Sequence, residues 1–269
     1  MKKLLIIVID SGTGRSTPLM KQLNSSVEIE VKIIPANMLR TEKDLEISGI
    51  KYSKENSLKY LGRPMSLPEI GCASSHNRAR YLLASTLSGG VILEDDGRIC
   101  NLDSFISLSK SFLIARIQDC AVLNLSNSNS LSGTCSDSRD IDRYYVRKVS
   151  PTPLAVGYAI TSSAAKRMCS NNDPIEYVSD WPSTGVAFYS PSHQFIHHGD
   201  GMTVSTIDPS QSSLRHDRSF FRSLSVLLGV HFILQALRFG FDGSYFQKVW
   251  WVTFSDKVSF LRGFKRHAE

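Results

Sequence analysis

The sequence predicts an α/β domain, and three observations at its start predict it. Residues 4–9 are a continuous apolar run rich in Ile, the pattern of a strand covered on both faces. A Ser-Gly-Thr-Gly turn at 11–14 leads into a helix-forming stretch at 16–23. Residues 28–34 then alternate charged and aliphatic side chains, with Val27, Ile29, Val31 and Ile33 on one face, which reads as a second strand. Strand, turn, helix and strand in that order begin a layered sheet.

The later elements follow from pattern and punctuation. Residues 36–66 are polar, and only 41–47 read as a helix. Pro68 suits a helix start, and 69–85 supply good helix formers until Ser88-Gly89-Gly90 stops them. Val91-Ile92-Leu93 is a short buried strand running directly into Glu94-Asp95-Asp96. Residues 102–117 form an amphipathic helix on Phe105, Leu108, Phe112 and Ile117. A strand at 121–125 precedes a Ser/Asn/Asp-rich loop at 126–140. Strands at 143–149 and 155–161 lead to a helix at 162–169 capped by Ser162. An acidic stretch at 173–182, a strand at 185–189 and a His-His pair within 195–199 complete this part.

Composition bounds the function classes. The chain has 269 residues, 42% hydrophobic and 21% charged, which excludes a disordered, collagenous or coiled-coil protein. The net charge is +6, and residues 211–269 hold +5 of it, with nine Lys/Arg against four Asp/Glu. Five cysteines without a C-x-x-C pair indicate neither a disulfide framework nor a thiolate zinc site, and point to a reducing cytoplasm. The apolar start is too short for a signal peptide and lacks a small-residue cleavage site, so a first strand is the reading. No run reaches the ~20 apolar residues that span a bilayer.

The acidic triplet after Val91-Ile92-Leu93 is the most informative local feature. Open α/β sheets bind ligands at the carboxyl ends of their strands. Three adjacent negative charges need a cation, Lys/Arg partners or free solvent, and alternation along a strand lets Glu94 and Asp96 converge while Asp95 points elsewhere. Hard ions such as Mg²⁺ or Mn²⁺ take one or two carboxylates together with phosphate oxygens. A solvated acidic turn is the competing reading.

Glu69-Ile70-Gly71-Cys72-Ala73-Ser74-Ser75-His76, followed by Leu93-Glu94-Asp95-Asp96, resembles the two-part pattern of glycosyltransferase family 25, the lipooligosaccharide biosynthesis transferases. The resemblance continues through Gly157-Tyr158-Ala159-Ile160, Ala164-Ala165-Lys166, Pro174, Asp180 and Ser205-Thr206-Ile207, and so spans about residues 1–210. It implies a GT-A-like nucleotide-sugar-binding domain at 1–210; the stretch 211–269 lies outside the pattern and reads from its composition as a mainly helical appendage. The resemblance further implies transfer of a hexose, galactose above all, from a UDP-sugar to a saccharide. Where the family's first strand commonly ends Ile-Asn-Leu, this chain has Ile9-Asp10-Ser11.

The resemblance and the residue types together assign roles. Asp96 and Glu94 are expected at a divalent metal (Mn²⁺ or Mg²⁺), with Glu94 also able to meet ribose hydroxyls. His198 is expected as the distant third ligand, with His197 and His193 as neighbours; a loop pair without a ligand role is the alternative. Asp180 is the expected base for an inverting transfer, or else a cap for the turn before Pro182. Trp181 beside it offers a face on which sugars stack. Asp10, Arg15 and Asp95 are expected at the donor nucleotide. Ser75 and His76 either hydrogen-bond the donor or buttress the acidic loop, and Gly71 allows close approach before them.

From residue 219 the chain mixes Phe, Leu and Trp with Arg and Lys, the makeup of an interfacial segment on an anionic membrane. A helical subdomain packed on the core is the alternative, and the apolar content argues against nucleic acid. The expected protein is thus a cytoplasmic transferase, peripheral on the inner face of the membrane, with a UDP-sugar donor and a lipid-linked saccharide acceptor. A metal-dependent phosphohydrolase and a non-catalytic saccharide- or lipid-binding protein are the rivals.

Overall fold

A computed structural model describes residues 3–126, 138–141, 144–149, 156–179, 184–191 and 193–199. The expectations for Asp180, Trp181 and the tail at 211–269 lie outside the described residues. Within them the α/β class holds. The first strand, β1 (Leu4–Asp10), is followed by α1 (Thr17–Leu23), β2 (Ile29–Pro35), α2 (Glu42–Ser48), α3 (Lys54–Leu61) and α4 (Leu67–Ala84). Then come β3 (Gly90–Glu94), β4 (Gly97–Ile99), α5 (Leu102–Ala115), β5 (Ala121–Asn124), β6 (Ser138–Ile141) and β7 (Tyr144–Val149). The remaining described elements are β8 (Gly157–Ile160), α6 (Ser162–Asn171), β9 (Ala187–Pro191) and β10 (Ile196–His198).

Eight strands form one mixed sheet in the order β2-β1-β3-β8-β5-β9-β7-β6. β1 runs parallel to β2 and to β3, with Ile9 opposite Glu94, so Asp10 and Glu94 end at the same edge. β8 is antiparallel to both its neighbours, β3 and β5. The direction of the sheet therefore reverses beside β3, next to the strand end that carries the acidic triplet. β10 pairs with β4 in a separate antiparallel ribbon, which sets His198 opposite Gly97.

Period-two alternation sorts the sheet's side chains into two layers. Leu4, Ile6, Val8, Val91 and Leu93 face α1 and α5 through Leu19, Leu23, Phe105, Leu108 and Phe112. Ile7, Ile9, Ile92 and Tyr158 face α4 and α6 through Ala79, Leu83, Ala164, Ala165 and Met168. Burial of these apolar side chains is the main force holding the layers together.

Four differences from the sequence reading have physical causes. The stretch 36–66 holds α3 as well as α2; α3 lacks an apolar stripe and is fixed by a cap, Asn56 N–H donating to Ser53 Oγ at 3.3 Å, and by Ser57 Oγ donating to Glu176 O at 2.7 Å. Residues 138–140, read as the end of a loop, fall in β6, an edge strand defined by its pairing with β7 rather than by its own pattern. The cap of α6 is Thr161 rather than Ser162, with Ala164 N–H donating to its Oγ1 at 3.3 Å. α4 starts two residues earlier than expected, where Ser66 N–H donates to the Glu69 carboxylate at 2.8 Å.

Among the described residues no helix is long and apolar enough to cross a membrane.

Candidate functional site at the carboxyl edge of the sheet

Three elements bring the site together: the end of β1 with its following turn, the end of β3, and the buried face of α4. Glu94 is the last residue of β3 and lies on the face of Ile92, toward α4. There its Oε1 meets His76 Nε2 at 2.9 Å. The strand stops at Glu94, so alternation does not carry on through Asp95 and Asp96. This corrects the expectation that Glu94 and Asp96 converge. The pair that does converge is Asp95 and Asp96, on the guanidinium of Arg15: Nη2 to Asp96 Oδ2 at 2.5 Å, and Nε to Asp95 Oδ1 at 3.9 Å.

The turn after β1 is fitted to this edge. Ser11 donates to Asp95 Oδ2 from its N–H, at 3.1 Å, and from its hydroxyl. Gly12 N–H donates to Asp10 Oδ1 at 3.0 Å, holding the Asp10 carboxylate at the mouth of the turn. Arg98 closes the arrangement from below, donating to the carbonyls of Asp95 (3.2 Å), Gly97 (2.8 Å) and Arg15 (3.2 Å). Arg15 and the acidic turn are thus held by backbone bonds as well as by charge.

On α4, His76 is 1% exposed and stands at the end of a buried chain of polar groups. Arg80 Nε donates to Tyr158 Oη at 3.1 Å, and Tyr158 Oη lies 3.0 Å from His76 Nδ1. One proton arrangement satisfies every member: Tyr158 donates to Nδ1, and Nε2–H donates to Glu94. Burial pushes the Tyr158 hydroxyl up to about 12 despite the nearby Arg80 charge, so it remains a donor throughout the neutral range. Arg80, itself 2% exposed, also donates to Ser179 O at 2.6 Å and Asn77 Oδ1 at 3.2 Å. A single buried guanidinium thereby connects the acidic edge to the residue that precedes Asp180.

The other expected residues fall as follows. Ser75 is 1% exposed, donates to Gly71 O at 2.7 Å and accepts from Asn37 N–H at 2.8 Å, so the bond from Asn37 ties α4 to the segment after β2, and neither bond reaches the acidic loop. His76 meets Glu94, not solvent. His197 is exposed, with Nδ1 3.5 Å from Cys100 Sγ, and His193 is exposed. The backbone of His198 lies opposite Gly97, and Gly199 N–H donates to Asp96 O at 2.7 Å, so β10 brings this residue beside the acidic turn.

Sequence reasoning missed Cys72, Tyr158, Ser11 and Arg98, and gave Arg80 no role. Cys72 and Arg80 each lie four residues from His76, so helical spacing alone marks them as its neighbours on one face of α4.

With this geometry in place, the comparison with known families supplies the family. A family model described as Glycosyltransferase family 25 (LPS biosynthesis protein) matches residues 1–181, about two thirds of the chain. The chain belongs to glycosyltransferase family 25. No curated protein matches it. Family 25 membership carries the enzyme class, a glycosyltransferase of lipopolysaccharide biosynthesis, and with it a sugar donor and a saccharide acceptor. The matched span holds the whole of β1, α4, β3 and β8, the elements that build the carboxyl edge just described.

Proposed function

We propose that this family 25 member moves a hexose, galactose first among them, from a UDP-sugar to a saccharide hydroxyl of lipooligosaccharide or lipopolysaccharide. In this reading the domain at 1–210 is GT-A-like and the transfer inverts the anomeric carbon. The observation that carries it is the pairing of Asp95 and Asp96 with Arg15 at the carboxyl end of β3. Carboxylates and a guanidinium at one strand edge can bind both halves of a nucleoside diphosphate: phosphate oxygens through Arg15, and ribose or uridine through Asp10 and Glu94.

A divalent Mn²⁺ or Mg²⁺ ion belongs to this proposal. Hard ions take carboxylate oxygen, and Asp95 and Asp96 offer it around a cation they already hold. These two residues would hold the ion, with His198 from β10 as the further ligand. When bound, the ion offsets the charge that develops on the departing diphosphate.

The chain's own groups do the rest. The acceptor hydroxyl oxygen attacks the anomeric carbon, the bond from that carbon to the diphosphate oxygen breaks, and UDP departs. Asp180 takes the hydroxyl proton, and Trp181 stacks on a sugar ring. The bond from Arg80 to Ser179 O supports this assignment, because it anchors the residue before the base to the buried chain that orients Glu94. The basic, aromatic tail at 211–269 places the enzyme on the anionic inner face of the membrane, where lipid-linked acceptors reside.

The test is acceptor-dependent product formation. The full chain, given UDP-galactose, Mn²⁺ and a lipooligosaccharide-derived saccharide, releases UDP and yields a product one hexose heavier only when acceptor is present. UDP release at the same rate without acceptor replaces the transferase with a hydrolase. Absence of UDP binding by calorimetry makes the chain a non-catalytic relative.

A further inference from the structure

Cys72 and His76 lie four residues apart on α4, and Glu94 ends the strand that faces them. The thiol sulfur, an imidazole nitrogen and a carboxylate oxygen of these residues all lie within 4.8 Å of one another. Among the described residues no other three His, Cys, Asp or Glu side chains are so placed. We infer that Cys72, His76 and Glu94 form a site for a borderline divalent cation of the zinc class, separate from the hard ion proposed at Asp95 and Asp96.

The donor chemistry separates the two sites. Asp95 and Asp96 offer only oxygen, which suits Mg²⁺ and Mn²⁺, whereas one sulfur, one nitrogen and one oxygen are the ligand types of Zn²⁺. Three protein ligands with the fourth position left to water is the pattern of an open zinc site. Bonds of roughly 2.0–2.3 Å to a tetrahedral ion bring the ligand atoms to about 3.2–3.7 Å of each other. His76 Nε2 and Glu94 Oε1, at 2.9 Å, must open slightly, and the sulfur must close by at most about 1–1.5 Å. Cys72 and Glu94 are both half-buried, and these movements fall to their side-chain torsions.

The surroundings are those of a built site. A metal-bound imidazole needs its other nitrogen held by a hydrogen-bond partner, and His76 Nδ1 already faces Tyr158 Oη at 3.0 Å. That oxygen has two lone pairs, so it accepts from Nδ1–H and from Arg80 Nε together once Nε2 is given to the ion. Cys72 Sγ lies 3.6 Å from Ser179 Oγ, a hydroxyl suited to donate to a thiolate. A bound ion ties Glu94 to α4 and fixes the spacing between that helix and the end of β3. The inference stands whether or not the transferase reading does, because its readout is the ion itself.

The metal-free full chain, in excess Mg²⁺, is titrated with Zn²⁺ against a chromophoric chelator and, separately, with Co²⁺ under absorption spectroscopy. One equivalent of Zn²⁺ binds, and the Co²⁺ complex shows a thiolate charge-transfer band with the visible bands of a tetrahedral ion. Cys72→Ser removes the charge-transfer band, and Cys72→Ser and Glu94→Gln each weaken Zn²⁺ binding at least about tenfold. Cys100→Ser, at the other Cys–His contact, leaves both signals unchanged. A wild-type Co²⁺ complex without the thiolate band, Zn²⁺ displaced by Mg²⁺, or equal affinity in Cys72→Ser overturns the assignment. The wild-type spectrum needs no variant to fold, so it decides the matter alone if the substitutions damage the structure.

Discussion

The His76 imidazole spans Glu94 and Tyr158, with Nε2 2.9 Å from the carboxylate and Nδ1 3.0 Å from the phenol oxygen. It is the link through which the interior of the fold fixes the orientation of a group at the sheet's edge. Tyr158 sits on β8, His76 on α4 and Glu94 at the end of β3, so three elements must keep their places for the chain to close.

Tyr158→Phe tests that link. It keeps the ring and deletes the oxygen that accepts from Arg80 and faces His76. A buried guanidinium N–H and a ring nitrogen then lose their partner, which costs about 1–3 kcal/mol. Thermal unfolding should shift down by that amount. In the transferase reading the donor KM rises, because the variant loosens Glu94, the carboxylate assigned to the ribose or uridine, while the phosphate contacts of Arg15 stay in place. An unaltered melting curve removes the relay from the energetics.

Arg15→Ala addresses donor binding. The Arg15 side chain is 30% exposed and that of Asp96 23%, so water screens their pair and the stability change should stay below about 1 kcal/mol. Loss of a charged hydrogen-bond donor to a diphosphate is worth about 1.5–3 kcal/mol, or roughly ten- to a hundredfold in affinity. Calorimetry with UDP should register that loss, and UDP affinity equal to wild type would take Arg15 out of the donor site.

Asp96→Asn preserves shape and removes one negative charge from the edge. Transfer should fall by about a hundredfold or more, the scale for losing one electrostatic contact to a departing group. The circular dichroism spectrum should remain that of the wild type. Initial-rate measurements over a Mn²⁺ series check it: an unchanged rate with unchanged metal response removes the acidic edge from the chemistry.

Much of this architecture was legible in the chain. The apolar runs at 4–9 and 91–93 announced strands covered on both faces, and the motif around Gly71 to His76 pointed to the helix that lies against them. What misled was continuing strand alternation past Glu94, since a period-two rule ends where the ladder ends. Ser75 looked available to a ligand because the bond it accepts from Asn37 N–H forms only when a loop thirty-eight residues away packs on α4, while its other bond, to Gly71 O one turn back, is local to the helix. Tyr158 read as one more strand aromatic, and Arg80 as one more cation. Their joint role depends on a contact across 78 residues of sequence, which no local pattern encodes.

The pH dependence of stability should carry the mark of Glu69. Burial alone would raise its carboxyl, but the Arg63 fork and the Ser66 N–H and hydroxyl outweigh burial and hold it below the ordinary 4.5. A carboxyl lowered by folding stabilises the folded state fully above its unfolded value, and that contribution disappears as pH falls through the folded one. Glu69→Gln should therefore lose about 1–2 kcal/mol near neutrality and lose less as the pH drops below about 4.5. Denaturant unfolding from pH 7 downward checks this, and parallel curves for the two proteins would refute it.

Gly71→Ala sets two physical effects of opposite sign against each other. In an exposed helix the change would stabilise by about 0.5–1 kcal/mol, because alanine loses less backbone freedom on folding. Here a Cβ at position 71 would lie 2.1 Å from Asn37 O and 3.3 Å from its carbonyl carbon. These are backbone atoms, unable to swing aside as a flexible side chain would, so α4 or the segment after β2 must move. Overpacking of that kind costs about 1–3 kcal/mol, which exceeds the propensity gain. The displaced helix is the one that carries Cys72, Ser75 and His76, so the shift also stretches the Ser75–Asn37 and His76–Glu94 contacts. A lowered melting temperature together with reduced transfer is the expected result. A melting temperature at or above that of the wild type would mean that α4 does not press on Asn37, and the placement of the whole carboxyl edge would have to be redrawn.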